Sequence, residues 1–176
     1  MSVAGPNKER IPEADDRVRL VCDECGFVDY INPTIVVGTV STHENNFLLV
    51  KRDIEPRKGY WTIPAGFLEV GETLAQGAVR ETWEEARAQV IISALLGVYN
   101  IVHISQVYMV FRAEMQSSSH EPGPESQDSA LFSWDEIPWD YIAFPSVTWA
   151  LNHYKQTAGN QNVVPMFEPP ESFWDR

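Results

Sequence analysis

Apolar residues recur along this chain with two different periods, and the change of period divides it into elements. Residues 34–40 (TIVVGTV) and 47–51 (FLLVK) are β-branched or apolar runs flanking the polar loop STHENN, which predicts a strand pair. Residues 90–102 and 105–115, rich in Val, Ile and Tyr, predict two longer strands, and 130–134 a short one. Between them Ala75, Ala78, Val79, Thr82 and Ala86 recur at helical spacing and predict a helix over 73–87 with that face on a core. A second helix is expected over 146–156, with Ser146 placed to cap it. The stretches 52–65 (RDIEPRKGYWTIPA) and 116–129 (QSSSHEPGPESQDS) read as loops. Strands interleaved with two helices predict an α/β (α+β) fold, a mixed β-sheet sandwiched between helices.

Organisation follows from the same pattern. Residues 1–33 read as a polar, peripheral N-terminal arm ending in the turn-rich CDECGFVDYINP, residues 34–158 as the main domain, and 159–176 as an extended, proline-containing tail. With 176 residues and 44% hydrophobic content, the chain can bury one good core. No apolar run reaches the roughly 18 residues a membrane span needs, so no membrane partner is expected. The N-terminus lacks the apolar stretch of a secretory signal, and the chain is expected to be cytoplasmic.

Charge narrows the partners. Thirteen basic against 25 acidic residues give a net charge of -12, which repels a polyanion, so no nucleic-acid partner is expected. A small phosphorylated substrate remains compatible if bound cations neutralise the site locally.

Such cations have ligands to hand. Glu81, Glu84 and Glu85 lie at i, i+3 and i+4 of the predicted helix, within an arc of about 100°. Like charges at that spacing repel, and hard divalent cations relieve the repulsion. Arg80, one turn before Glu84, can pair with it. An isolated E-x-x-E-E is usually a solvated face. Here it comes with Gly66, Glu72 and Arg80 at fixed offsets, a coincidence expected roughly once in ten thousand chains of this length.

The segment from Gly66 resembles the Nudix box, G-x5-E-x7-R-E-U-x-E-E-x-G-U with U aliphatic. Six of the seven fixed letters are met, by Gly66, Glu72, Arg80, Glu81, Glu84 and Glu85. Thr82 and Ala88 depart from it at the U positions, and Arg87 stands where the family has glycine. A left-handed helix end there would cost arginine about 1 kcal/mol. The flanking stretches CDECGFVDYINPTIVVG, KGYWTIPAGFLEVGE and HISQVYMVFRAEM are similar to a Nudix subgroup with an N-terminal zinc ribbon that acts on FAD and ADP-ribose type dinucleotides.

The resemblance implies Mg²⁺- or Mn²⁺-dependent hydrolysis of a pyrophosphate bond in a nucleoside diphosphate derivative, FAD or ADP-ribose. It implies metal ligation by Glu81 and Glu85, with Glu84 and the Ala65 carbonyl as further ligands. Arg80, Glu84 and Glu85 carry the catalytic machinery in this reading. Glu125 is the candidate general base, Asp128 the second candidate, and a box glutamate the alternative. Arg52, Arg57 and Lys58 are candidate phosphate contacts, and Tyr60, Trp61 or Phe67 candidate stacking residues. The four histidines lack metal spacing, and His103 reads as a hydrogen-bonded structural residue. A homodimer is expected from the family alone. The competing reading is a nucleotide-sensing Nudix-fold module that does not cut, which the retained glutamates oppose.

Cys22 and Cys25 form one C-x-x-C knuckle, while structural zinc usually takes four ligands. The subgroup's second knuckle has no counterpart in MSVAGPNKERIPEADDR, which argues against bound zinc. Loss of zinc, a site shared across a dimer and a shortened N-terminus remain open.

Overall fold

The computed structural model describes residues 5–160 and 163–167. The chain divides into two units between Pro33 and Thr34. In the first unit, β1 (Lys8–Arg10), β2 (Arg19–Val21) and β3 (Val28–Asp29) form an antiparallel sheet in that order. Leu20 pairs with both Glu9 and Asp29. The CDECG turn closes on itself: Cys22 N–H donates to Phe27 O (2.8 Å) and Gly26 N–H to Cys22 O (2.9 Å). Cys22 is buried and Cys25 exposed. The segment expected to be a peripheral arm is therefore paired backbone. Strands of two or three residues are too short to display a period, which is why the pattern hides them.

The second unit is built on a sheet ordered β10-β5-β4-β9-β8. The strands are β4 (Thr34–His43), β5 (Asn46–Arg52), β8 (Val90–Ile101), β9 (Gln106–Met115) and β10 (Ser126–Phe132). Short strands β6 (Trp61–Thr62) and β7 (Ala65–Phe67) pair with β5 and β4. β4 and β9 run parallel from Thr34↔Gln106 to Thr42↔Glu114, and the other pairs are antiparallel, so the sheet is mixed. β4 turns into β5 through Glu44 and Asn45, both at positive φ (48° and 67°), the conformation of a two-residue hairpin. β10 begins inside the stretch expected to be loop and ends at Phe132, and β6 and β7 lie in or at the edge of the other.

The sheet is sandwiched between α1 (Leu74–Ala86) and α2 (Pro145–Gln156). Alternation decides which residue meets which helix. Val37, Leu48, Val50, Phe111 and Ala113 pack on the α1 side, with Ala78 and Ala86 of that helix. Val40, Leu49, Tyr99 and Val110 pack on the α2 side, with Val147, Ala150 and Leu151.

Thr73 caps α1 and exchanges hydrogen bonds with Gln76 in a capping box. Thr82, a departure from the aliphatic pattern, is fully buried but satisfied: Ser41 donates to Thr39, whose hydroxyl lies 2.7 Å from that of Thr82, and Thr82 donates to Ala78 O. Ala75 is exposed rather than core-facing, and Gly77 takes a place on the buried face. α2 starts one residue before the expected cap, because Pro145 occupies the first helical position after Phe144 and places Ser146 inside the first turn. From the tail, Met166 donates its N–H to Leu96 O (3.1 Å) and accepts from Val98 N–H (2.8 Å) on the edge of β8. Residues 168–176 lie outside the described residues.

Candidate active site

The helix that carries the acids is held at both ends. At its start the capping box fixes the first turn, and just before it Glu72 accepts Glu69 N–H (2.7 Å). At its end Arg87 turns left-handed (φ 51°, ψ 20°) and donates its N–H to Trp83 O at 2.9 Å. Arginine thus takes the conformation that the family's glycine position calls for.

Arg80 organises the acids on this helix. Nε and Nη2 grip the two oxygens of Glu72 at 3.0 and 2.7 Å, Nη2 also donates to Phe67 O (2.9 Å), and Nη1 donates to Glu81 (2.8 Å) and Glu84 (2.9 Å). Its donors are spent on a fixed set of acceptors. The guanidinium beside Glu72, helped by Glu69 N–H, holds that carboxyl down at about 2, and the Arg80 pKa is raised in return, chiefly by Glu72. The pairing with Glu84 is therefore one part of a wider network whose anchor is Glu72.

Burial sets the two inner acids apart. Glu85 is only 7% exposed and accepts a hydrogen bond from Ala65 N–H (3.0 Å). Burial pushes its carboxyl up to about 8, with that hydrogen bond and Arg52 opposing and the charges of Glu81 and Glu125 adding to the rise. Burial also raises Glu81, against the pull of Arg80. Gly66 makes room for this acid, since a Cβ at that position would overlap the Glu81 carboxyl group.

Glu125 arrives from across the sheet. Residues 121–125 lie on the last turn of α1: Glu121 N–H donates to Ala86 O and Gly123 N–H to Glu85 O, both at 2.9 Å. These bonds satisfy carbonyls that a helix end leaves open. Asp53 N–H then donates to Glu125 O (2.8 Å) as the chain enters β10. Asp128, the second candidate base, instead accepts from its neighbour Ser129 N–H and does not line the cleft.

Glu81, Glu84, Glu85 and Glu125 share one cleft of about 1440 Å³, more than the 300–1,000 Å³ common for small-molecule sites and roomy enough for a dinucleotide. Arg52, Ala65 and Phe67 line it as well. Arg57 and Trp61 do not. Arg57 sits over the Tyr60 ring (5.3 Å), and Trp61 packs on the α2-side core with Phe132 edge-on at 4.9 Å. The alternation of β6 turns Trp61 inward, so the stacking expectation is corrected there. His103, expected to be structural, lies exposed in the 102–104 turn on the cleft wall. Asn100, Gln106, Tyr108, Ser146 and Trp149 also reach the cleft. Sequence reasoning missed them because β8, β9 and α2 come together only in the folded sheet, and no local pattern marks that meeting.

The donor set suits a hard divalent cation. Glu81 and Glu85 are carboxylates whose charged forms burial penalises, and a cation would offset that penalty. Among the described residues no group of three or more His, Cys, Asp or Glu is arranged so that it could hold a metal ion. Mg²⁺ asks for less from the protein, being typically held by one or two carboxylates together with substrate phosphates.

Helix, acids and cleft together suit a hydrolase of phosphorus anhydrides, and comparison with known proteins supplies the family. The NUDIX domain pattern matches residues 32–150 and the Nudix N-terminal zinc-ribbon pattern residues 4–31. The chain belongs to the Nudix hydrolase family. It is 44% identical to a NUDIX hydrolase structure from Nitrosomonas europaea, with a TM-score of 0.86 over 92% of this chain and 94% of that one. An ADP-ribose pyrophosphatase of Methanocaldococcus jannaschii is 30% identical over 62% of this chain and 67% of its own length. A NAD-capped RNA hydrolase NudC of Photobacterium profundum is 30% identical over 68% of this chain, which spans only 45% of that protein.

Proposed function

We propose that this protein hydrolyses the pyrophosphate bond of a nucleoside diphosphate derivative, ADP-ribose or FAD, to two monophosphates, with Mg²⁺ or Mn²⁺. The observation that carries the reading is the convergence of buried Glu85, half-buried Glu81 and the Arg80-held Glu84 on one dinucleotide-sized cleft. The similarity to an ADP-ribose pyrophosphatase supports the substrate class. In this reading Glu81, Glu84 and Glu85 hold the cation, with the Ala65 carbonyl beside them. A divalent cation supplies Lewis acidity toward the phosphate oxygens and acidifies water.

The protein's own groups do the rest. Glu125, or a box glutamate, takes the proton from the attacking water. The water oxygen bonds to one phosphorus, the bridging P–O bond breaks, and the second phosphate leaves with the bridging oxygen. Arg80 keeps the acids in place, Arg52 contacts the phosphates, and Phe67, which is 54% exposed on the cleft wall, offers a ring to the base or flavin.

The test is a screen of the purified protein with ADP-ribose, FAD, NADH and deoxynucleoside triphosphates, in Mg²⁺, Mn²⁺ or EDTA, with products separated by chromatography. Cleavage of ADP-ribose or FAD to monophosphates, abolished by EDTA, supports the reading. Tight nucleotide binding without cleavage of any of them sinks it.

A further inference from the structure

Arg87 is the cleft cation that the network around Arg80 leaves unused. Its backbone is left-handed, at φ 51° and ψ 20°, a conformation that glycine adopts freely and a side chain does not. Arg87 lines the same cleft as Glu84 and Glu125. The contacts it makes are weak ones: Nη1 lies 3.4 Å from Trp83 O, and the guanidinium carbon lies 5.7 Å from the centroid of the exposed Trp83 ring. Among the described residues Arg87 forms no ion pair, although acids outnumber bases 25 to 13 in this chain.

Of the other arginines in the cleft, Arg80 is committed to the acids and Arg52 is committed in part. Arg80 has its donors on Glu72, Glu81, Glu84 and Phe67 O, and Arg52 spends Nε on Pro56 O at 2.9 Å while its guanidinium lies over Phe144. The charge of Arg87 also interacts favourably with the C-terminal end of α1. That interaction is open to a basic residue anywhere in the last turn, with no left-handed backbone required. It does not account for arginine at this position.

We infer that Arg87 is a substrate-binding residue whose guanidinium donates to a non-bridging oxygen of the diphosphate, on the Glu84–Glu125 side of the cleft. The inference rests on the hydrolase reading above and adds to it a positive group for the anionic substrate beside the acids. A guanidinium matches the planar fork of phosphate oxygens, whereas lysine offers only a point charge.

The full chain carrying Arg87→Gly or Arg87→Lys tests this. Glycine suits the backbone, so Arg87→Gly folds with an unchanged or higher Tm, and its effect on substrate is read without loss of structure. The expected result is a KM for ADP-ribose raised about tenfold with kcat within about twofold, and an intermediate KM for Arg87→Lys. A second readout uses no turnover: calorimetric binding of the non-hydrolysable methylene-bridged analogue of ADP-ribose, with Mg²⁺, to the unmodified chain and to Arg87→Gly, where Kd weakens about tenfold in the variant. Unchanged KM and Kd in the glycine variant overturn the inference and leave Arg87 as a helix end only. If the unmodified chain binds ADP-ribose without cutting it, the hydrolase reading fails while the two Kd values still decide the role of Arg87.

Discussion

Gly123 donates its backbone N–H to the carbonyl oxygen of Glu85 at 2.9 Å, which seats the loop bearing Glu125 on the final turn of the acid-bearing helix. A Cβ at Gly123 would overlap the Glu84 carbonyl, so only glycine allows this approach. Gly123→Ala must push the loop away. It is expected to cost roughly 1–3 kcal/mol of stability. If Glu125 works from this loop, turnover also falls at least tenfold, as in Glu125→Gln. Chemical denaturation and steady-state kinetics on both variants check it, and normal turnover in Gly123→Ala would take Glu125 out of the reaction.

The fork between Arg80 and Glu72 has a signature in acid. The folded pKa of Glu72, about 2, lies below its ordinary 4.5. A depressed carboxyl contributes stability that is fully present above 4.5 and lost as pH falls through about 2. Glu72→Gln should therefore flatten the stability profile across that window, leaving the neutral region lower. Arg80→Lys keeps a charge but not the fork, and is expected to lower turnover by roughly tenfold or more. Equal activity in Arg80→Lys would show that the fork does not position Glu81 and Glu84 for the reaction.

How much of this was legible beforehand depends on range in sequence. α1 and its acids are periodic and local, so the spacing of Ala78, Thr82 and Ala86 and the offsets from Gly66 to Glu85 reveal them. The hairpin at Glu44 and Asn45 is local too. The cleft wall is not: Asn100 and His103 meet Ser146 and Trp149 only because α2 lies across the sheet near the turn between β8 and β9. Trp61 shows the same limit. An aromatic beside a loop offers no local sign of whether it faces ligand or core, and the pairing of β6 with β5 decides it. The β1–β3 sheet escapes because its strands, of two or three residues, are too short to repeat the period that would mark them.

Trp61 and Phe67 now carry opposite expectations. Trp61 is partly buried and packs on the α2-side core, against Phe132, and Trp61→Ala should cost up to about 3 kcal/mol of stability, with its kinetic effect following from that loss. Phe67 is exposed on the cleft wall, and Phe67→Ala should leave Tm nearly unchanged while raising KM several-fold. Melting curves set beside KM for the two variants separate them. A stable Trp61→Ala protein with a raised KM would return Trp61 to the substrate site.

Glu85 joins stability, pH and cation in one experiment. Its folded pKa of about 8 stands above the ordinary 4.5, so between those values the folded chain holds a proton that the unfolded chain releases. The sign follows: without a cation, stability falls as pH rises from about 4.5 to 8. A cation that binds the charged carboxylate reverses the preference, so Mg²⁺ should raise Tm more at pH 8 than at pH 5. Glu85→Gln removes the ionisable group, and with it both the slope and most of the Mg²⁺ response, while turnover drops at least a hundredfold. Melting curves at the two pH values, with Mg²⁺ and with EDTA, read all of these except turnover. A Glu85→Gln protein that keeps the full Mg²⁺ shift would place the cation on Glu81 and Glu84 instead, and near-normal turnover in it would remove Glu85 from the site.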